Sequence, residues 1–244
     1  MTLYIIGFGG GSHAGMTFEA YSAIEKCPLI VGYDRYIGLI RNIFPNKEFF
    51  STGMHGEKER VLYALEQAQI RDTALVCSGD AEVYGMAGLA YELSGNYPDA
   101  ELKTVAGVTA ALSGGALLGA PLTNDFAVIS LSDLLTPPEI IEKRLRGAAA
   151  GGFVVVLYNP SSKKRSDYLK KACDILLEYR APGTVCGVAV NVGREGENHV
   201  VLTLGELRGY QADMFSTVFI GNSDTKNING RMVTPRGYPI GSQR

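Results

Sequence analysis

Three stretches set small and polar residues directly after apolar runs: Gly7-Phe8-Gly9-Gly10-Gly11-Ser12, Ser78-Gly79-Asp80-Ala81-Glu82-Val83, and Ala106-Gly107-Val108-Thr109-Ala110-Ala111. In open α/β sheets ligands gather beyond the carboxyl ends of strands, where such loops converge. The middle stretch carries the most chemistry. Gly79 has no Cβ, so its backbone can come close to a ligand. Asp80 sets a carboxylate beside it, suited to an amine or a hydroxyl, or to capping the helix that follows. Thr109 has the same two options, a helix cap or a hydroxyl offered to a ligand. The first stretch imitates a dinucleotide fingerprint, but Ser12 stands where its third glycine would be. Asp34, the candidate ribose-binding acid of such a unit, follows a glycine-tyrosine bend, and Tyr33, Arg35, Tyr36 and Arg41 suit a large flat or anionic ligand better. Ser161-Ser162-Lys163-Lys164-Arg165 follows an apolar strand, either as a solvated charge run or as a grip on carboxylates. Arg236 is the ligand candidate of the tail. His13, His55 and His199 are too dispersed to announce a metal cage. The chain has neither a P-loop nor a serine nucleophile elbow. Few conventional nucleophiles remain, so the loops read as holders of two ligands, one of which carries the reactivity.

The elements that position these residues follow from the apolar pattern. Strands are expected at Leu3–Ile6, Leu29–Val31, Phe49–Phe50, Thr73–Cys77 and Glu101–Val105. Helices are expected over 17–26, 57–69 and from about Tyr84 to Leu93. In the second half, strands are expected over 126–131, 152–158, 184–191, 200–203 and 215–220, with helices ending near Ala150 and spanning 167–179. Thr136-Pro137-Pro138-Glu139 has capping-box spacing. The tail from Met232 to Tyr238 shows little regularity. Pro121 marks the break between two α/β domains, 1–120 and 121–244. The 244 residues are 46% hydrophobic and carry a net charge of −2, which argues against a nucleic-acid footprint while permitting a local basic trough. Cys27, Cys77, Cys173 and Cys186 lie far apart in apolar contexts and read as reduced core residues of a cytoplasmic protein. The run from Gly107 to Ala120 is too short and polar for a membrane span.

Beyond pattern, the chain resembles the tetrapyrrole methylases. The resemblance rests on Gly7-Phe8-Gly9-Gly10-Gly11, on Ser78 to Gly88, on Gly107-Val108-Thr109-Ala110 and on Leu118 to Phe126. Ile129-Ser130-Leu131-Ser132-Asp133-Leu134-Leu135-Thr136-Pro137 and Leu157-Tyr158-Asn159-Pro160 narrow it to the C17-methylating branch of cobalamin biosynthesis. Gly193-Arg194, Gly221-Asn222 and Thr234 to Tyr238 extend it, and the 203–207 segment favours the cobalt-dependent form.

The resemblance implies two α/β domains with S-adenosylmethionine in the cleft between them, a homodimer, and an anionic tetrapyrrole substrate that carries its own cobalt; no protein metal site, nucleic acid or membrane is implied. By motif it assigns the cofactor to Gly10, Ser78, Gly79, Asp80, Val83, Thr109, Ala110, Asn159 and Gly193. It assigns the substrate to Ser132 and Asp133, and its acid groups to Arg35, Lys163, Lys164, Arg165, Arg194 and Arg236. The implied reaction methylates C17 of cobalt-precorrin-3, contracts the ring and closes a lactone, giving cobalt-precorrin-4. Alternatives are the oxygen-dependent route through precorrin-3B, methylation at another tetrapyrrole carbon or of diphthamide, and noncatalytic tetrapyrrole binding. Two residues depart from the family pattern. Gly10 replaces the usual proline of the first loop, and Ser12 replaces an acidic residue, leaving His13 as the catalytic candidate there.

Overall fold

A computed structural model describes residues 1–161 and 167–239, so Lys163, Lys164 and Arg165 lie outside the described residues. The chain divides into two compact units, Met1–Ala110 and Ala111–Arg244.

The first unit is built on five parallel strands, β1 (Thr2–Gly7), β2 (Leu29–Tyr33), β3 (Glu48–Thr52), β4 (Thr73–Cys77) and β5 (Glu101–Val105), in the order β3-β2-β4-β1-β5. Their central members are almost continuously apolar because both faces are covered. Leu3 and Ile5 of β1 point into one core with α3 (Glu57–Ala68) and α4 (Ala87–Leu93). Tyr4 and Ile6 point into the other with α1 (Phe18–Lys26) and α2 (Asp34–Ile40). Thr17 caps α1, its hydroxyl accepting from the Ala20 amide at 3.1 Å. Two helices differ from expectation. α2 forms where the sequence suggested a ligand-facing segment, because Ile37 and Ile40 give it a buried stripe. α4 starts three residues later than expected, since Tyr84 takes a left-handed turn at φ 56°.

In α3 the buried stripe includes a charge. Arg60 is only 3% exposed, and its guanidinium donates to Thr52 Oγ1 at 2.6 Å and to Gly53 O at 2.9 Å. The cation therefore holds the loop that follows β3.

The second unit has α5 (Ala110–Leu118), β6 (Gly119–Ala120), β7 (Phe126–Ser130), α6 (Pro138–Ala150), β8 (Val154–Tyr158), α7 (Tyr168–Leu177), β9 (Val185–Val190), β10 (Asn198–Thr203), α8 (Leu204–Leu207), β11 (Ser216–Ile220), β12 (Lys226–Ile228) and β13 (Arg231–Val233). Five strands form a mixed sheet in the order β10-β9-β11-β8-β7. β7 and β8 are parallel, and β11 runs against both β8 and β9. β7, β8 and β9 therefore end at the same edge. α6, α7 and α8 cover one face, and α5 with Met232 of β13 covers the other. α5 belongs here, whereas the sequence reading drew its boundary after Ala120. Its Gly114 sits against Ala189 and Phe219, so this small-residue helix lies close on the second sheet.

The expected capping box at Thr136 and Glu139 does not form. Pro138 biases the residue before it away from helical angles, and Pro137 is extended (φ −55°, ψ 139°) as an N-cap without a side-chain bond. The same spacing succeeds at Thr203 and Glu206, where both reciprocal bonds of a capping box are present. The tail also holds more order than expected. Asn229 and Gly230, at φ 51° and 78°, turn β12 back into β13, the hairpin chemistry that an Asn-Gly pair favours.

Candidate functional site

At the carboxyl edge of the first sheet, three loops are laced together through their backbones. Gly9 and Gly79 exchange two hydrogen bonds, of 3.0 and 2.8 Å, and the Phe8 amide donates to Cys77 O at 3.0 Å. Gly79 turns at φ 69°, a conformation that favours glycine. Gly107 closes the lacing from β5. A Cβ on it would lie 2.2 Å from Gly79 O and 2.4 Å from Gly7 O.

Asp80 fastens these loops. One carboxylate oxygen accepts from the Glu82 and Val83 amides at 2.8 and 3.1 Å; the other accepts from the Gly107 amide at 2.9 Å. The residue is 7% exposed. Its carboxylate thus serves the protein's own backbone, joining the loop after β4 to the loop after β5. Asp80→Asn turns one acceptor into a donor that must face an amide N–H. It is expected to lower stability by about 2 kcal/mol, the scale of one lost charge-assisted bond, read as a lower urea midpoint. An unchanged midpoint would show that the carboxylate does not hold the loops.

The sequence-derived candidates Gly10, Ser78, Gly79, Asp80, Val83, Thr109 and Ala110 all lie on these laced loops or just beyond them. His13 follows the first loop, exposed, with its ring edge-on to Tyr21 at 4.9 Å. Arg35 lies exposed in the first turn of α2, after β2. Beside it Tyr36 packs against Phe8 and Tyr33, at 5.9 and 5.1 Å between ring centroids.

The second unit gathers another group at the edge where β7, β8 and β9 end. Asn159, at φ 53°, donates from Nδ2 to Ser130 Oγ at 2.9 Å, and the Ser132 amide donates to the same oxygen at 3.2 Å. Asp133 accepts from the Tyr168 hydroxyl. Gly193 and Arg194 lie in the turn from β9 to β10, where the Gly193 amide donates to Glu197 at 2.7 Å. Arg236 is placed elsewhere, its guanidinium 3.4 Å from Thr123 O on the segment leading into β7.

The sequence reading missed Tyr168 and Arg60. Nothing local pairs Tyr168 with an aspartate 35 positions earlier, and Arg60 occupies a stripe otherwise apolar. Cys77, at the end of β4, is no nucleophile, because burial pushes its thiol up to about 11. Among the described residues, no group of three or more His, Cys, Asp or Glu could hold a metal ion, and no helix is long and apolar enough to cross a membrane.

Residues 2–208 match the family model for Tetrapyrrole (Corrin/Porphyrin) Methylases. A Salmonella typhimurium protein named "Probable cobalt-factor III C(17)-methyltransferase" is 43% identical over 98% of this chain and 100% of its own length. A Methanocaldococcus jannaschii protein of the same name is 44% identical over 97% of both chains. The crystal structure of the methyltransferase CobJ is 34% identical with a TM-score of 0.87, covering 96% of this chain and 99% of its own. The parallel and mixed sheets, the laced glycine loops and these full-length likenesses agree: the chain belongs to the tetrapyrrole methylase family.

Proposed function

We propose that this chain transfers a methyl group to C17 of a cobalt-bearing tetrapyrrole, cobalt-factor III or cobalt-precorrin-3, in cobalamin biosynthesis. Ring contraction and lactone closure, which the resemblance implies, belong to the same proposal, as does a homodimer. One observation carries the reading: 43% identity to a protein named "Probable cobalt-factor III C(17)-methyltransferase" over 98% of this chain and 100% of that one. The runner-up substrate is metal-free. It is favoured less because a precorrin-3B C17-methyltransferase of Sinorhizobium is 36% identical, below the cobalt-named relatives.

Tetrapyrrole methylases take their methyl from S-adenosylmethionine, which supplies a carbon already activated on a sulfonium. The first-unit loops fit such a donor. They are lined by backbone rather than bulky side chains, and Asp80 holds their shape from behind. In this reading Ser78, Gly79, Val83, Thr109 and Ala110 contact the donor, with Gly10, Asn159 and Gly193 as further contacts, and Asp80 acts through the loops it fastens. The protein's task is then alignment of donor and acceptor, and methyl acceptance arises on the tetrapyrrole. His13 is the side chain at the first loop able to give or take a proton. Arg35, Arg194 and Arg236 are proposed to face substrate acids, with Ser132 and Asp133 at the substrate end of the second unit.

The test incubates the protein without oxygen with cobalt-factor III and methyl-labelled S-adenosylmethionine, with precorrin-3B in a parallel arm. Label at C17 of the cobalt product is expected. Label at another carbon, or transfer to precorrin-3B alone, would overturn the reading.

A further inference from the structure

The loop between β7 and α6 is fixed at its base and apolar at its tip. It leaves β7 at Ser130, whose hydroxyl accepts from Asn159 at 2.9 Å and from the Ser132 amide at 3.2 Å. One residue further, Asp133 accepts from the Tyr168 hydroxyl at the start of α7. The Tyr168 ring lies under the Lys171 ammonium, 5.9 Å from its centroid, and that ammonium pairs with Asp167 at 2.7 Å. Past this anchor the chain turns Leu134 and Leu135 to solvent, 57% and 98% exposed, before the prolines that begin α6.

A single exposed leucine is ordinary. Two in succession, on a loop tied down immediately before them and rooted where β7 and β8 end, form an apolar tip already set in place. The edge matters, because ligands of α/β sheets gather beyond the ends of parallel strands, and β7 and β8 are this sheet's parallel pair. The anchor also explains an aspartate near a site for a polyanion. The phenol takes up one of its oxygens, Oδ2, so that side of Asp133 works on the protein's own loop rather than against substrate acids.

We propose that Tyr168 is a positioning residue for substrate: by holding Asp133 it fixes the loop so that Leu134 and Leu135 pack against the apolar face of the tetrapyrrole ring. The inference rests on the methylase reading above and deepens it by naming a specificity surface. A tip fixed beforehand loses little freedom when the ring arrives, which favours binding.

The experiment compares wild type, Tyr168→Phe, Leu135→Ser and the double variant, with cobalt-factor III varied at saturating S-adenosylmethionine. Each single variant is expected to raise KM for the tetrapyrrole about tenfold, with kcat and S-adenosylhomocysteine affinity unchanged and, for Leu135→Ser, the unfolding midpoint unchanged as well. The double variant is expected to fall short of the product of the single effects, because a released loop no longer presents Leu135. An unchanged KM, a KM rise in Leu135→Ser only alongside lost stability, a KM rise in either variant only alongside lost S-adenosylhomocysteine binding, or fully multiplicative effects would each overturn it. So would Leu135→Ser splitting a dimer while KM stays constant, which would assign the tip to a second copy of the chain. Direct titration of cobalt-factor III by absorbance separates the two readings. If wild type binds it but places no methyl on C17, the functional reading fails alone, and the variants' binding constants still judge this inference.

Discussion

Replacing Gly107 with alanine is expected to weaken S-adenosylhomocysteine binding about a hundredfold and to destabilise the protein by about 3 kcal/mol, at the top of the usual range for overpacking. The new methyl would meet backbone on two sides, 2.2 Å from Gly79 O and 2.4 Å from Gly7 C and O. A flexible side chain could swing away, but these groups belong to loops already bonded to one another, and the Gly107 amide is itself held by Asp80 at 2.9 Å. Relief therefore requires prising the β5 loop off the β1 and β4 loops. Calorimetric titration and urea unfolding read the two effects. Alanine tolerated in both would show that the lacing yields cheaply. Loss of stability with unchanged ligand affinity would remove these loops from the donor site.

Stability is expected to fall steeply from about pH 9 to about pH 11, by about 1.4 kcal/mol per pH unit for each buried thiol. Burial pushes Cys77 up to about 11, Cys27 and Cys173 up to about 12, and Cys186 higher still, with Cys173 adding to that last rise. In the unfolded chain the same thiols ionise near 9.0. Below that value both states keep their protons and the thiols contribute no slope. Above it the unfolded state sheds protons that the folded state retains, so unfolding gains with every unit until the folded thiols ionise too. Tyrosines also titrate in this window, so the informative quantity is a difference between proteins. Cys186→Ala should show a slope shallower by about 1.4 kcal/mol per pH unit in urea unfolding between about pH 9 and pH 11. Parallel slopes would mean that this thiol is not held protonated in the fold.

Much of the first sheet was legible because its strands are buried on both faces. Leu3 to Ile6 runs straight into Gly7, and Ala74 to Cys77 reaches Gly79 after a single serine, where the candidate site begins. The loops were therefore found as loops. What escaped was their wiring, because a hydrogen bond from the Gly107 amide to a carboxylate 27 positions earlier leaves no trace in local periodicity. Asp80 could be read as a cap or as a ligand group, and the structure makes it a fastener between two loops. The Tyr168–Asp133 pair was hidden for the same reason. Arg60 was missed differently: its helix reads as an amphipathic stripe, and the carbonyl and hydroxyl above it, with Glu57 at 3.3 Å and the Tyr33 ring, explain a cation inside. The two Thr-x-x-Glu segments show how a motif depends on its neighbours. Prolines at 137 and 138 displace the first from capping geometry, while Thr203 and Glu206, free of proline, complete it.

The strand order of the first sheet also constrains how the chain can fold as it is made. β1 is made before the other strands of its sheet, yet its two neighbours are β4 and β5, whose register begins at Thr73 and Glu101. Until those residues appear, an apolar strand has both edges open. β2 and β3 can pair earlier, being close in sequence, but the middle of the sheet must wait. Such distant parallel pairings are slow because loop closure comes before any reward in contacts. The nascent chain therefore carries exposed strand edges while the residues from β1 to β5 are synthesised, the interval in which holding chaperones have most to protect. The laced glycine loops, made at the ends of β1, β4 and β5, are consequently assembled together and late, when the third of those strands docks.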